Sequence, residues 1–385
     1  MQSSSTIGTE LRKETGLDID SAIDWIINSG IQKRNGSFYA WYDLEKRNYS
    51  FSYPEVTGYA IQLLTRLYKV GKNDDFLDKA IAAGEWISNI WKKNGCLYSK
   101  YYERTCEWDR SQYVFDVGIC LSSLLELCEE TSDMKYAEVA MEMGNWILML
   151  QTEDGSFFAG LDSEENLINT PHWSQTKGCH HLKVALALLK LFERTQERKY
   201  RRSIRKLLEW GIRLQSPSGG FSSFAGNKET YAHAHCYAVE GMLFSSRLFN
   251  AIANPSLFEH SIYAASWLSK AQNEDGSIWN WHNSKREKMK VSDALSQAIR
   301  IWAIAKNQIN ENKTTKLSYS IRKGLDFLRT MQCLSGNRHS YGGIHYAQQN
   351  DVKVPHINTW ATLFAINASI ILAKRNDPRL IEWIF

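Results

Sequence analysis

The chain has 385 residues, of which 43% are hydrophobic and 23% charged, and its formal net charge is +4. This composition supports a large core, and the small charge, with no Lys/Arg run interleaved with aromatics, argues against a nucleic-acid partner. No apolar stretch is long enough to cross a bilayer and residues 1–16 lack an apolar signal segment, so we expect a cytoplasmic protein without a membrane span. Seven cysteines without a CxxC pair predict reduced thiols.

An aromatic residue returns about every sixty residues, each time inside a segment with helical periodicity. The series is Trp25, Trp86, Trp146, Trp210, Trp267 and Phe327. Most members are followed by Gln or Asn, a few polar residues, Gly and an apolar residue, as in QTEDGSF at 151–157. Six copies at one spacing predict an array of six helical units, with the aromatic series packed between helices.

Two helix types alternate along the chain. Amphipathic outer helices are predicted near 18–30, 76–91, 133–150, 199–214, 257–271 and 315–331. Inner helices, apolar almost all round, are predicted near 55–70, 115–129, 176–194, 232–249, 292–307 and 356–374. A helix without a polar face is surrounded by protein, so we predict an all-α (α/α)6 toroid, with an open solenoid as the main alternative. It forms a single domain over 18–385, after a flexible segment at 1–17.

The inner helices are apolar except at their starts, where polar residues repeat with the spacing of one helical face. The sets are Glu55, Tyr59 and Gln62; Asp116, Cys120 and Ser123; Thr176, His180 and Lys183; His233, Tyr237 and Glu240; Asp293, Gln297 and Arg300; His356 and Trp360. Buried polar groups are costly without partners, so six sets in register predict a common polar space, the lumen of the ring. Outer-to-inner links of roughly twenty residues surround one end of it, where a site is expected.

The ring places units one and four, two and five, and three and six opposite each other. Asp116 then faces Asp293, Glu55 faces unit four, and His180 faces His356. Carboxylates in unlike surroundings across a cleft are suited to general acid and base work on a sugar. Converging helix N-termini, with the cations of units three and five, predict an anionic ligand.

Simpler explanations exist for several of these residues. Asp116 and Asp293 also fit helix N-terminal positions, where capping alone would explain them. Glu240 lies two turns inside an apolar helix, which favours a functional or network role. His180, His181, His233, His235 and Cys236 are residue types that bind zinc, but the sequence has no HExxH or paired CxxC motif, and His233 and His235 cannot share a helical face. Zinc is therefore the less favoured interpretation, and we expect no metal and no cofactor.

The Gln-x-x-Asp-Gly-Ser-Phe element at 151–157, with Ile as its last residue at 272–278, resembles the repeat of the six-hairpin toroid superfamily. Terpene cyclases and protein prenyltransferase β subunits belong there, and glucuronyl epimerases, unsaturated glucuronyl hydrolases and N-acylglucosamine 2-epimerases share the related barrel architecture. The resemblance covers nearly the whole chain and implies a fold rather than a reaction. The DxDD motif of class II cyclases is missing. Residues 231–237 resemble the zinc-histidine region of prenyltransferase β subunits, but the accompanying Asp-x-Cys pair is missing.

Residues 53–59 resemble uncharacterised toroid proteins of bacterial and archaeal polysaccharide metabolism, which favours carbohydrate. We therefore expect a hydrolase, lyase or epimerase acting on an anionic, uronate-type sugar or oligosaccharide at the lumen mouth. Candidate catalytic residues are Glu55, Asp116, Glu240, Asp293, His180, His233, His235 and His356. Candidate substrate-binding residues are Tyr53, Tyr59, Trp108, Trp173, Lys183, Tyr237, Trp281, Gln297, Arg300 and Trp360. An isoprenoid-handling enzyme, with a deep aromatic lumen, and a non-catalytic binding scaffold are the alternatives.

Overall fold

The computed structural model describes residues 14–248, 256–307, 309 and 311–374, and twelve α-helices dominate this part of the chain. The outer helices are α1 (Ile19–Asn28), α3 (Asp74–Asn94), α5 (Met134–Met149), α7 (Arg198–Ile212), α9 (Ser256–Lys270) and α11 (Glu311–Met331). The inner helices are α2 (Pro54–Gly71), α4 (Val114–Thr131), α6 (Val184–Thr195), α8 (Ala232–Leu248), α10 (Ser292–Lys306) and α12 (Thr359–Ala373). An outer helix and the inner helix after it form one unit.

The inner helices form a closed ring. Each one packs against the next, and α12 packs back against α2. In α10, every residue from 292 to 305 is buried, as expected for a helix with neighbours on all sides. In the outer helix α7, Ile204, Leu207 and Leu208 are buried while Arg201 and Arg205 are exposed. The predicted (α/α)6 toroid is confirmed.

The glutamine–glycine turn seen in the sequence fastens neighbouring units. After α5, Gln151 Nε2 donates to the carbonyls of Gly155 and of Ser203 on the next outer helix, each at 3.0 Å. The same pair of bonds follows α1, α7, α9 and α11, from Gln32, Gln215, Gln272 and Gln332. The last of these reaches the carbonyl of Asp18 at 2.8 Å and so ties unit six to unit one.

Short β-strands join the outer-to-inner links around the mouth of the ring. They are β1 (Trp41–Asp43), β2 (Asn48–Tyr49), β3 (Tyr101–Tyr102), β4 (Glu107–Trp108), β5 (Gln112–Tyr113), β6 (Gly160–Leu161), β7 (Thr230–Tyr231), β8 (Trp281–His282), β9 (Lys290–Val291), β10 (Ile344–His345), β11 (Ala347–Gln349), β12 (Val352–Lys353) and β13 (His356–Asn358). The order β10-β13-β1-β2 joins units six and one, and β12-β11-β9 joins six and five. β5 pairs with β6 and β7 with β8, while β3 and β4 form a hairpin within unit two; all the pairs are antiparallel.

Two inner helices start later than predicted. Unit three begins with a 3-10 turn, Cys179–Lys183, which leads into α6 instead of starting at 176. Unit six begins at Thr359 because the Asn358 side chain caps α12, accepting from the Ala361 amide at 2.9 Å. His356 therefore lies in β13 and not in a helix, so the prediction that it shares a helical face with Trp360 is wrong.

Further predictions concern the N-terminal segment, the cysteines and membrane spans. Of the segment predicted to be flexible, 1–13 lies outside the described residues, and Thr15 and Leu17 are buried. All seven cysteines are free. In the described part of the chain, no helix combines the length and the apolar character that crossing a membrane requires.

Candidate functional site

A cavity of about 500 Å³ opens where the inner helices begin. Six of the eight predicted catalytic residues line it, namely Glu55, Asp116, His180, His233, Asp293 and His356. From the predicted substrate-binding set, Tyr53, Trp173 and Trp360 also line it. The remaining lining residues are Trp41, Lys100, Tyr113, Phe115, His172, Ser174, Gln175, Tyr231, Tyr346 and Asn358.

Two buried carboxyl groups in the cavity wall retain protons near neutral pH. Glu55 Oε1 accepts hydrogen bonds from the Tyr237 hydroxyl at 3.3 Å and from Trp360 Nε1 at 3.2 Å. Burial and then the nearby charge of Asp116 raise the pKa of Glu55 to about 8. Burial raises the pKa of Asp116 to about 7, although the Tyr53 hydroxyl and a nearby lysine partly offset this. At neutral pH the pair can therefore hold a proton that a substrate could take.

A third carboxylate, Asp293, stands beside a histidine. Its Oδ1 accepts from the Ala294 amide at 2.7 Å, and its Oδ2 lies 3.6 Å from His233 Nδ1. Burial raises the pKa of Asp293, and the histidine partly offsets the shift. Burial lowers the pKa of His233, against the pull of Asp293. Asp293 thus contacts the helix N-terminus, as the capping interpretation expects, and also faces the cavity.

His180 lies fully buried in the wall, and neither of its ring nitrogens has a hydrogen-bond partner among the described residues. Its ring centroid is 5.5 Å from those of Trp173 and Phe115. Burial, and then its neighbour His181, hold the pKa of His180 well below its usual range. The imidazole is therefore neutral, with one nitrogen able to donate and the other to accept.

Aromatic rings form much of the remaining wall. Trp173 stacks on Tyr231 with centroids 4.9 Å apart, and Trp360 meets Tyr53 edge-on at 5.7 Å. His356, on its strand at the rim, stacks on Trp41 at 5.0 Å, and its side chain is 29% exposed. Flat apolar surfaces beside hydrogen-bonding groups suit a pyranose ring, which has apolar faces and a polar edge.

Glu240, Lys183 and Arg300 form an ion cluster beneath the cavity rather than part of its wall. The Lys183 ammonium lies 2.6 Å from Glu240 Oε2, and Arg300 binds the other carboxylate oxygen. Burial opposes ionisation of Glu240, but the two cations outweigh it and lower its pKa. Lys183 also sits over the rings of Tyr59 and Tyr237, at 5.0 and 4.9 Å from the centroids. The charged groups that the sequence analysis predicted to act on or bind substrate are thus paired with one another in the structure.

Six more predicted site residues do not line the cavity, and two of them, Tyr59 and Tyr237, lie beside the ion cluster. His235 is bonded to the Phe221 amide and the Ala264 carbonyl in the core. Gln297 is fully buried and lies outside the cavity lining, and Trp281 packs between Tyr231 and Arg286. Trp108 lies on the outer side of unit two. The described residues hold no group of three or more His, Cys, Asp or Glu placed to bind a metal ion.

Some lining residues were missed by the sequence analysis although a signal existed. Tyr53, Tyr113 and Tyr231 each directly precede an inner helix, and all three line the cavity. That recurrence would have identified Tyr113 and Tyr231. Lys100, the lysine of the lining, comes from a link without periodicity, and nothing in the sequence marks it.

Several solved structures share this fold over almost the whole chain. Cellobiose 2-epimerase from Bacillus thermoamylovorans B4167 has a TM-score of 0.75 at 14% identity, covering 94% of this chain and 98% of that one. An unsaturated glucuronyl hydrolase specific for heparin has a TM-score of 0.73 at 11% identity, covering 97% and 99%. A D-mannose isomerase has a TM-score of 0.73 at 9% identity, covering 94% and 97%.

The chain shares its fold with sugar-processing enzymes. At these identities the likeness establishes the toroid and not the reaction, so the fold resemblance drawn from the sequence is confirmed. No protein-family model matches the sequence, and no curated protein matches it either.

Proposed function

We propose that the protein is a carbohydrate-active enzyme that works by acid/base chemistry at the lumen mouth. The observation that carries the proposal is the pair of buried carboxyl groups, Glu55 and Asp116, with pKa values raised to about 8 and about 7 in a cavity of sugar size. Acid catalysis near pH 7 needs a group with such a pKa, and burial beside a like charge is how proteins produce one.

The roles follow from the surroundings. The protonated member of the Glu55–Asp116 pair donates to an oxygen or carbon of the sugar, and Asp293, next to His233, accepts a proton from the opposite side. His180, neutral and without a partner among the described residues, is available to bind a sugar hydroxyl or to carry a proton. Hydrolysis, elimination and epimerisation use these same groups and differ in their position relative to the bound sugar.

We further propose that the substrate carries a negative charge, as a uronate does. Lys100 is the one lysine among the described residues that line the cavity. Its ammonium lies over the Phe51 ring, 5.3 Å from the centroid. Inner-helix N-termini converge on the same cavity and favour an anion. A protonated carboxyl pair removes repulsion that two ionised groups would cause.

The isoprenoid alternative is not favoured, because it needs a deep aromatic lumen, whereas the paired side chains of Glu240, Lys183 and Arg300 fill this lumen below the cavity. A cytoplasmic location, supported by the seven free cysteines, is part of the proposal.

Turnover on a panel of oligosaccharides, with and without a terminal uronate, tests the function. We expect Asp116→Asn and Glu55→Gln each to lower kcat/KM at least about a hundredfold, the usual worth of a general acid. Glu45→Gln, at an exposed carboxylate of the rim, is the matched control and should keep full activity. Full activity in both cavity variants contradicts the acid/base proposal, and a non-catalytic scaffold would show no turnover in any protein.

A further inference from the structure

A second concave surface lies on the outside of unit two, separate from the cavity. This groove has a volume of about 870 Å³ and runs between α3 and the β3–β4 hairpin. Its floor is formed by Trp86 and Trp108, whose ring centroids lie 6.1 Å apart with planes inclined by 25°. Tyr98 extends the aromatic surface, with its centroid 6.0 Å from that of Trp108.

Trp86 departs from the aromatic series to which it belongs. Its counterparts in units one, three, four and five are at most 9% exposed, whereas Trp86 is only partly buried. Unit two is also the unit in which the outer helix ends at Gly95 without the glutamine–glycine turn. The hairpin occupies this place and brings Trp108 beside Trp86. Packing between the helices of the toroid therefore does not explain why the indoles of Trp86 and Trp108 remain partly accessible here.

The rim of the groove is polar and of mixed charge. Asn89, Lys93, Glu107 and Arg110 line it and are exposed. Glu85, the other acid in the lining, is 2.7 Å from Lys135 and accepts from Tyr136, so it is already paired. A strand of nucleic acid would need a dominant positive charge, which this rim lacks. Amide, guanidinium and carboxyl groups around flat aromatic faces match the hydroxyls and the apolar faces of a pyranose.

We infer that this groove is a second carbohydrate-binding site, which holds a segment of an oligosaccharide against Trp86 and Trp108. The link that supplies Tyr98 and Trp108 to the groove also supplies Lys100 and Tyr113 to the cavity. The same link therefore contributes side chains to both sites. The groove binds sugar whether or not the cavity is catalytic, so the inference does not depend on the reaction proposed above.

Calorimetric titration of the full chain with cellohexaose and with a hyaluronan hexasaccharide tests the site. The Asp116→Asn protein serves as the background, so that turnover does not obscure binding. We expect Trp108→Ala and Arg110→Ala each to raise the dissociation constant for the groove roughly tenfold. At the working concentration, each variant should then bind one hexasaccharide fewer per chain than the background protein. Tyr319→Ala, at a 53% exposed aromatic residue of α11, is the matched control and should change nothing.

The outcomes are distinct from those of the activity test. A wild-type protein that turns over none of the sugars but still binds one hexasaccharide in the groove counts against the cavity proposal alone. Arg110 is exposed, so its variant remains folded and informative even if Trp108→Ala is unstable. The groove inference is overturned if neither sugar binds there, if both variants bind like the background protein, or if sedimentation shows a dimer that Trp108→Ala dissociates.

Discussion

The proton held by Glu55 has a consequence for stability. Its pKa is raised from 4.5 to about 8 by burial and by Asp116, so the folded state binds a proton that the unfolded state releases. The stability linked to this proton is complete below pH 4.5 and is lost as pH rises through about 8. Glu55→Gln keeps an oxygen for Tyr237 and Trp360 but removes the titration. We expect the variant to gain stability over wild type between pH 4.5 and pH 9, by urea unfolding.

The comparison needs one control for the loss of a charge. Glu45→Gln removes an exposed carboxylate from the same rim. If the free energies of unfolding of Glu55→Gln and wild type differ by the same amount at pH 4.5 and at pH 9, the Glu55 carboxyl does not titrate as described.

Lys100 is expected to set the preference for charged sugars. Replacing it with Gln would remove the charge-assisted hydrogen bond that we propose it makes to a uronate, so KM for a uronate-ended substrate should rise about tenfold while a neutral analogue is little affected. The positive charge of Lys100 lowers the pKa of Asp116, so the same variant should also move the alkaline limb of the kcat/KM profile to higher pH. Lys285→Gln, at an exposed link lysine, is the control. Parallel KM changes for both substrates would contradict the assignment.

The repeated turn predicts which glycines the ring requires. Gly155 has φ +94°, and a Cβ there would lie 2.2 Å from the carbonyl oxygen of Lys206 on the next outer helix. Gly95 has φ +69°, but no atom lies within 4 Å of its Cβ position. Gly95→Ala should therefore lower the free energy of unfolding by about 1 kcal/mol, and Gly155→Ala by about 3 kcal/mol or more, by urea titration. Equal losses would mean that the turn does not fasten adjacent units.

Helix positions were predictable from the sequence because burial imposes a period on it. Eleven of the twelve helices begin within four residues of the predicted start, and α6 is the exception. The start of α12 at Thr359 differs from the prediction because Asn358, and not an apolar period, fixes it. The third unit starts late for a similar local reason, since its chain enters through a 3-10 turn.

The site was only partly predictable, because residues on one helical face lie at different distances from the mouth of the lumen. The first residue reaches the cavity in five of the six sets, as Glu55 and Asp116 do, and in unit three the second residue, His180, takes this place. A residue seven positions later, such as Glu240 or Arg300, lies about 10 Å further along the helix axis and falls beneath the floor. The sequence predicts which helical face carries each side chain. It does not predict how deep the cavity extends along the helices, because this depth depends on how Tyr59 and its neighbours fill the lumen.

Two buried carboxylates tie neighbouring inner helices together. Glu126 of unit two pairs with Arg66 of unit one at 3.3 Å and with Lys190 of unit three at 2.6 Å. Glu240 of unit four pairs in the same way with cations from units three and five, and the latter also bonds to Asn367 of unit six. Between them these clusters reach all six units, so the stability of the closed ring depends on both.

Removing either carboxylate should weaken the ring as a whole. Glu240→Gln leaves two buried cations without a counter-charge, and we expect the free energy of unfolding to fall by about 3–5 kcal/mol, with a similar loss for Glu126→Gln. Glu209→Gln breaks the exposed pair with Arg205 and should cost less than about 1 kcal/mol. Because the ring is closed, each variant should still unfold in one transition when followed by circular dichroism and tryptophan fluorescence. A Glu240→Gln protein as stable as Glu209→Gln, or one that loses units four and five in a separate step, would show that the ion clusters do not hold the toroid together.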